Sequence, residues 1–214
     1  MRRLIASTFA SLDGVMQAPG GPDEDSTGNF ELGGWTFAFW DAATDLSAAG
    51  FDGRDRDLVL GRKTYDIFAA YWPRQSKDNP IARTFNATKK HVASRTLKSL
   101  QWNNSSVLGD DVVAAITALK AQPGYDLQII GSGNLIQTLQ AASLIDVYNV
   151  WTYPVVLGGG KRLFEKGARP CALRLVASNV STTGVVMSTY VPAGDIRVGS
   201  VGKAEPDGEM SLQR

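Results

Sequence analysis

The stretch that decides the fold is residues 57–68, "DLVLGRKTYDIF". Its apolar run, residues 58–60, is typical of a strand that is buried on both faces of a parallel sheet. Gly61 ends this strand, and Arg62 and Lys63 begin a helix. Cations at a helix N-terminus oppose the helix dipole, and an external anion would remove that conflict. The stretch therefore predicts a strand-to-helix turn that binds an anion, with solvated surface cations as the alternative.

A second turn of the same kind lies in residues 126–134, "DLQIIGSGN". A strand over 126–130 leads into a glycine turn at 131–133, where the backbone can approach an anion closely. The helix that follows begins near Asn134 and offers unpaired N–H groups. A complete GxGxxG fingerprint is absent because Ile136 stands in place of the third glycine. A phosphate site and a plain tight turn both fit this pattern.

Strand and helix patterns alternate along the chain. Strands are predicted at 2–9, 57–60, 89–94, 105–108, 126–130 and from 147, and helices at 35–49, 62–70, after an Asp110 cap, and from 134. Residues 173–177 and 182–191 form a closing antiparallel hairpin. This order predicts an α/β fold in three layers, α/β/α, with a mostly parallel central sheet. We expect one domain over 1–192 and a polar tail over 193–214.

Composition excludes several classes of function. The chain has 22 basic and 21 acidic residues, a formal charge of +1, and no block of like charges, which argues against nucleic acid or anionic membrane as a partner. The opening apolar stretch is too short for a signal peptide or a membrane span. The single cysteine, Cys171, fits a reducing compartment. We therefore expect a cytoplasmic protein. We expect no metal site, because His91, the only histidine, has no evident metal-binding partner in the sequence.

A third glycine cluster, residues 158–160, precedes Lys161 and Arg162. It is not a nucleotide-binding P-loop, because Val155 stands where the first glycine belongs and Arg162 where the hydroxyl belongs. We expect these glycines to bend the chain beyond a strand and to leave both cations free to meet negative charge.

Five motifs in this order resemble the dihydrofolate reductase superfamily: "LDG" at 12–14, "LVLGRKTYDIF" at 58–68, "HVASRTL" at 91–97, "LQIIGSGNLIQTL" at 127–139 and "YPVVLGGGKRLF" at 153–164. The similarity covers roughly residues 2–191. It is strongest to the C-terminal reductase domain of the bifunctional riboflavin-biosynthesis protein RibD and its stand-alone bacterial relatives. The resemblance implies a dihydrofolate reductase-like fold and a reduced nicotinamide cofactor, NADPH.

The resemblance also implies which residues hold NADPH. The early strand and turn would line the nicotinamide, the turn at 61–64 would bind phosphate, and residues 94–96 would hold the adenosine end. The turn at 131–134 matches the pyrophosphate loop, in which a cis peptide between the first two residues is usual, and the long loop at 17–34 would act as a lid. The implied cofactor residues are Ala6, Gly14, Val15, Gly61, Arg62, Lys63, Thr64, Ser94, Arg95, Thr96, Gly131, Ser132, Gly133, Asn134 and Leu135.

Three aspartates are candidates for the catalytic acid. The resemblance places a carboxylate on the helix before the first turn, where Asp41 and Asp45 both fit, and Asp13 belongs to the recurrent "LDG" turn. Each also has an ordinary structural interpretation, as a solvated helix acid or a turn residue. Residues 78–83, "DNPIAR", resemble the phosphoribose-binding motif of the riboflavin branch, although the intervening residues differ.

The leading hypothesis is an NADPH-dependent reductase that acts on a small heterocycle, either a pteridine or a ribosylamino-pyrimidine. A non-catalytic NADPH-binding regulator and a structural dimer subunit are the alternatives. The expected partners are thus a small-molecule substrate and, optionally, a second copy of the chain in a homodimer.

Overall fold

The computed structural model describes residues 1–44 and 55–199. The strands in these ranges are Leu4–Ser11 (β1), Arg56–Gly61 (β2), Lys90–Ala93 (β3), Ser105–Val107 (β4), Asp126–Ile130 (β5), Val147–Tyr153 (β6), Leu173–Val180 (β7) and Val186–Pro192 (β8). The helices are Arg62–Tyr71 (α1), Pro80–Ala87 (α2), Val112–Ala121 (α3) and Gly133–Ala141 (α4). Residues 200–214 of the predicted tail lie outside the described residues.

The strands form one sheet in the order β4-β3-β2-β5-β1-β6-β8-β7. Neighbouring strands from β4 to β6 pair in parallel, whereas β8 pairs antiparallel with both β6 and β7. The predicted mostly parallel sheet with a C-terminal antiparallel hairpin is confirmed. Because β5 returns to lie between β2 and β1, the ends of these three strands meet at one edge of the sheet.

Alternate residues of β2 show that the sheet is covered on both faces. Leu58 and Leu60 pack with Phe85 of α2, whereas Val59 between them packs with Ile116 of α3 and residues of α4. Successive side chains of a strand point to opposite faces, so α1 and α2 cover one face and α3 and α4 the other. This arrangement confirms the three layers.

The helix predicted over 35–49 is wrong across its described part. The structure has only a 3₁₀ turn at Phe37–Phe39, and the backbone of Trp40 is extended. The Phe39 carbonyl accepts a hydrogen bond from the Thr183 hydroxyl at 2.6 Å, and the Asp41 carboxylate accepts from Thr182. Contacts with the β7–β8 turn therefore override the local helical periodicity.

One helix was not predicted. In α2, the Asn79 side chain accepts from the N–H groups of Ile81 and Ala82, and Pro80 occupies the first turn. An asparagine cap followed by proline is a normal helix start. The cap of α3 is likewise Asp111 rather than the predicted Asp110. None of the helices in residues 1–44 and 55–199 is long and apolar enough to cross a membrane.

Candidate functional site

The two predicted turns lie side by side, and Ser132 joins them. Its hydroxyl oxygen accepts the Gly61 N–H at 3.0 Å and lies 2.9 Å from the Thr64 hydroxyl and 3.1 Å from the Ile130 carbonyl. The N-termini of α1 and α4 are thereby fixed beside each other. Two anion-binding helix starts at one place suit a ligand with more than one phosphate.

The glycine turn differs from the expected geometry in one respect. The bond between Gly131 and Ser132 is trans, because no cis peptide occurs in the described residues. The chain turns instead through two successive residues with positive φ, 56° at Gly131 and 55° at Ser132. Gly133 lies close to the Met16 thioether, since a Cβ there would be 2.7 Å from the sulfur, and Met16 would have to shift to accept a side chain.

A cavity of about 1850 Å³ opens at this edge of the sheet. Drug-sized ligands occupy pockets of about 300–1,000 Å³, so this cavity has room for a dinucleotide and a second small molecule. Most of the predicted cofactor residues line it: Gly61, Arg62, Lys63, Thr64, Ser94, Arg95, Thr96, Gly131, Ser132, Gly133, Asn134 and Leu135. The structure therefore brings together three segments that are distant in the sequence.

Three predicted cofactor residues lie behind the cavity wall. Ala6 and Val15 are buried in apolar clusters, and the Gly14 carbonyl accepts a hydrogen bond from the Leu163 N–H. Their neighbours Ser7 and Met16 line the cavity in their place. Strand alternation explains the exchange at β1, since Ala6 and Ser7 point to opposite faces.

The adenosine end of the predicted site contains two exposed arginines. Arg62 donates to Asp66 at 2.7 Å and to the Thr96 hydroxyl at 3.3 Å, which connects α1 to the segment after β3. Ser94 accepts the N–H of Thr96 at 3.3 Å, and Arg95 is exposed on the same rim of the cavity. The guanidinium groups are thus accessible to an anion.

Residues 17–25 of the segment 17–34 line the cavity, and several contacts of this segment were not predicted. The Gln17 amide donates to the Asp25 and Thr27 carbonyls and accepts from the Lys161 N–H at 3.0 Å. The Trp35 indole donates to the Gln17 carbonyl at 2.8 Å. The only sequence signal for this role is the unusual length of the loop.

Asp25 fixes this segment to two cations of the cavity. Its carboxylate lies 2.6 Å from the Lys161 ammonium and 3.5 Å from that of Lys63, which belongs to the first turn. Burial alone would raise the pKa of Asp25, but hydrogen bonds from Lys161 and Thr27 lower it to about 2. The negative charge that the sequence predicted for Lys161 is therefore supplied by Asp25 of segment 17–34.

Comparison with known proteins identifies the family. The sequence model of the family described as the RibD C-terminal domain matches residues 2–187. This chain belongs to the RibD C-terminal domain family. It is 26% identical over 192 residues to the uncharacterized protein YyaP of Bacillus subtilis, spanning 88% of this chain and 94% of YyaP.

Solved structures share the fold of this RibD C-terminal domain. A protein named for riboflavin biosynthesis from Shewanella sp. PV-4 has a TM-score of 0.68 and 22% identity, with 90% of this chain and 99% of that chain covered. Dihydrofolate reductase from Enterococcus faecalis has a TM-score of 0.54 and 16% identity, covering 89% and 96%. The dihydrofolate reductase-like fold is confirmed.

Asp13, one of the three candidate acids, lies outside the lining of the large cavity. Its carboxylate accepts hydrogen bonds from the Ser11 hydroxyl at 2.6 Å and from the N–H groups of Leu157 and Gly158. The Ser11 hydroxyl, followed by the Leu157 N–H, lowers the pKa of Asp13 to about 2. In this RibD C-terminal domain Asp13 thus attaches the glycine cluster at 158–160 to the turn after β1.

Asp41 also lies outside the cavity lining. Hydrogen bonds from the Thr182 hydroxyl and the Thr44 N–H lower its pKa, which keeps the carboxylate ionised. Asp45 falls outside the described residues. The catalytic role of these aspartates stays a prediction, and the contacts of Asp13 and Asp41 already satisfy both carboxylates.

The Ser132 bridge gives a first prediction. Ser132→Ala leaves the Gly61 N–H without its partner and separates the two turns, so we expect a loss of about 1–2 kcal/mol of unfolding free energy. The affinity for NADPH should fall about tenfold in the same variant. Urea unfolding and cofactor titration measure the two effects. Ser99→Ala, which changes an exposed serine away from the cavity, should match the wild type in both.

The Asp25 ion pairs predict a pH dependence of stability. The folded pKa of about 2 is below the unfolded value of about 3.9, so the stabilisation is present above about pH 4 and is lost as the pH falls toward 2. We expect Asp25→Asn to lose about 1–2 kcal/mol at pH 7 and less at pH 2.5. Denaturant unfolding at both pH values measures this difference, and an equal loss at both would contradict the ion-pair account.

Proposed function

We propose that this protein is an NADPH-dependent reductase that transfers a hydride to a small heterocyclic substrate of the pteridine or ribosylamino-pyrimidine type. The observation that carries the proposal is the pair of helix N-termini that Ser132 joins at the edge of a cavity. Two such starts present unpaired N–H groups to a pyrophosphate, and Lys63 at the start of α1 supplies countercharge.

The residues present fit this cofactor. Gly131 has no side chain that would cover the turn, and Arg62 and Lys63 line the same cavity at the neighbouring turn. Exposed guanidinium groups suit a phosphate because they donate in a planar fork. Arg62 and Arg95 would therefore hold the 2′-phosphate that distinguishes NADPH from NADH.

A relative of the same fold supports the choice of cofactor. The dihydrofolate reductase from Enterococcus faecalis forms a complex with NADP(H). At 16% identity this similarity shows a shared fold alone. The proposal of NADPH for the present chain therefore rests on the fit of its own two turns.

The other end of the cavity is suited to a planar ring. Trp151 is 4% exposed and packs against Phe9 with ring centroids 5.3 Å apart, and both line the cavity. Phe37 and Trp40 face each other at 6.2 Å and are 74% and 40% exposed, which is unusual for such large rings. Aromatic walls of this kind favour stacking with a flat heterocycle.

Ser7 supplies a polar contact beside these rings. Its hydroxyl oxygen accepts from the Gln128 amide at 3.1 Å and from the Asn149 amide at 3.4 Å. Because the amides occupy its lone pairs, the Ser7 O–H is directed to donate to a ligand. Bound NADPH would supply the hydride, and these residues would orient the ring and exclude water.

Residues 78–83, the predicted phosphoribose motif, form the start of α2, and Asn79 and Ile81 line the cavity. Asn79 caps α2 through the N–H groups of Ile81 and Ala82. Asp78 and Arg83 are exposed and do not line the cavity. These contacts favour a substrate bound through its ring rather than through a ribose phosphate at this motif.

Cytoplasmic localisation belongs to the same proposal, because NADPH is an intracellular reductant.

A homodimer is also part of the proposal, and the edge strand β7 offers the surface for the second copy of the chain. Its residues Leu175, Val176 and Val180 are 51%, 46% and 59% exposed. An exposed apolar edge strand is a normal site for association.

The test of the function is a turnover assay. Oxidation of NADPH is followed at 340 nm with dihydrofolate and with a ribosylamino-pyrimidine as acceptors, each with and without its phosphate. We expect one of these acceptors to be reduced with a stoichiometry of one per NADPH. Tight NADPH binding without turnover of any acceptor would instead favour the non-catalytic regulator.

A further inference from the structure

A pair of polar side chains lies beside the aromatic end of the cavity. Ser7 of β1 is opposite Asn149 of β6 in the strand pairing, and Phe9 is likewise opposite Trp151. All four residues line the cavity. Because residues two apart on a strand share a face, the Ser7 hydroxyl and the Asn149 amide are the polar neighbours of the two rings.

Gln128 of β5 determines which way the Ser7 hydroxyl is used. The Arg56 guanidinium has donors only, so the Gln128 carbonyl oxygen faces it at 3.5 Å and the Gln128 NH₂ group faces the Ser7 oxygen at 3.1 Å. Gln128 is 2% exposed and Ser7 is 6% exposed, so both side chains depend on partners other than bulk water. The Ser7 oxygen is therefore an acceptor on the side of the sheet.

Asn149 adds a second donor to the same oxygen. The Asn149 Oδ1 accepts from the Thr189 hydroxyl at 3.0 Å, and the Asn149 NH₂ group donates to the Ser7 oxygen at 3.4 Å. With both lone pairs occupied, the hydroxyl has only its proton left to offer. Within residues 1–44 and 55–199 the Ser7 O–H donates to no other residue. A buried donor of this kind at a cavity wall needs an acceptor from a ligand.

We propose that the Arg56–Gln128–Ser7 chain makes Ser7 a fixed hydrogen-bond donor that selects a ring carrying a carbonyl oxygen at this point of the cavity. The inference rests on the proposed function, whose ligands supply such an oxygen from two sources. One is the nicotinamide carboxamide of the cofactor, and the other is the ring carbonyl of an oxo-substituted pteridine or pyrimidine. Ser7 contacts the ligand, whereas Gln128 and Arg56 act through it as positioning residues.

An amino group in place of that oxygen would be rejected. It would bring its N–H groups toward the Ser7 O–H, so that two donors would face each other and neither would be paired. A site built to hydrogen-bond one group discriminates strongly against an analogue that lacks it, because its buried polar atoms are then left without partners.

Two pairs of probes test the selection and distinguish its two sources. Pterin and 2,4-diaminopteridine exchange a ring carbonyl for an amino group, and they are titrated in the presence of saturating NADP⁺. NADPH and its thionicotinamide analogue exchange the carboxamide oxygen for sulfur, a weaker acceptor. We expect the wild type to bind the oxygen-containing member about tenfold or more tightly in at least one pair.

Ser7→Ala should reduce the ratio of the two Kd values in that pair to within about twofold of one. A change confined to the pteridine pair assigns Ser7 to the substrate, and a change confined to the cofactor pair assigns it to the nicotinamide. The control Ser178→Ala removes the hydroxyl of an exposed strand residue outside the cavity lining and should keep the wild-type ratios.

Gln128→Glu tests the positioning role with Ser7 intact. A carboxylate only accepts, so the Ser7 proton would turn toward residue 128 and the Ser7 oxygen would face the ligand as an acceptor. The preference for oxygen should then be lost, and in the pteridine pair it should favour the amino group. A purely structural role of Gln128 would lower stability without moving this ratio. Where the variant does not fold, Ser7→Ala alone decides.

The outcomes separate the two proposals. A wild type with no preference for oxygen in either pair, or ratios that Ser7→Ala leaves unchanged in both, overturns the role of Ser7. Normal oxidation of NADPH alongside such a result would leave the proposed function standing. A wild type that binds neither NADPH nor a pteridine would remove the proposed function and the selection together.

Discussion

Replacing both Arg62 and Arg95 with glutamate is expected to weaken NADPH binding about 100-fold or more while changing NADH binding less than about threefold. The 2′-phosphate carries up to about two negative charges, and only NADPH has it. Arg62 is held toward the rim of the cavity by Asp66 and Thr96, and Arg95 is exposed beside it. Titration of each variant with both cofactors measures the ratio.

The exposure of both arginines makes the test selective, because surface substitutions seldom change stability by more than about 0.5 kcal/mol. The matched control is Lys98→Glu, which reverses an exposed cation near the same segment but outside the cavity lining. It should keep the affinity for both cofactors. Equal losses for NADPH and NADH in the double variant would contradict the 2′-phosphate assignment.

Gly160→Ala is expected to lower the free energy of unfolding by about 2–4 kcal/mol. Gly160 has a φ of 117°, a backbone conformation that residues with a side chain rarely adopt. A Cβ there would lie 2.8 Å from the Val15 side chain and 3.0 Å from the Phe30 ring. Val15 is fully buried and Phe30 is 8% exposed, so neither can move aside easily. Thermal or urea unfolding measures the loss.

The adjacent glycine provides the control. A Cβ at Gly159 meets nothing within 4 Å, and its φ is outside the left-handed region. Gly159→Ala should therefore change stability by less than about 0.5 kcal/mol. Similar values for the two variants would show that the cluster at 158–160 is a tolerant loop and does not depend on close packing against segment 17–34.

The two turns could be predicted because each is encoded locally. A run of mostly apolar strand residues, a glycine and a helix start follow one another at 58–64 and again at 127–134, and the structure has both. Their contact through Ser132 could not be predicted, since it depends on β5 lying next to β2. Local patterns specify elements, whereas sheet order specifies which elements meet.

The region before β2 shows the limit of periodicity. Phe37 and Trp40 have helical spacing, yet Phe37 begins a short 3₁₀ turn and Trp40, the residue after that turn, has an extended backbone. Both rings line the cavity. Partners more than 140 residues away, Thr182 and Thr183, hold this backbone. In α2 the same residues serve two patterns, since the Asn79–Pro80 pair of the phosphoribose motif is also a helix start.

The contacts of segment 17–34 with other turns of the chain were beyond local inference for the same reason. No sequence pattern around Asp25 indicates its ion pairs, because its partners Lys63 and Lys161 belong to distant turns.

Titration of the wild-type protein with NADPH tests the central claim most directly. Cofactor fluorescence and the quenching of tryptophan emission should both saturate at one equivalent, with a Kd of about 1–10 μM and at least tenfold weaker binding of NADH. Absence of saturation up to about 1 mM NADPH, in protein shown to be folded, would contradict the account.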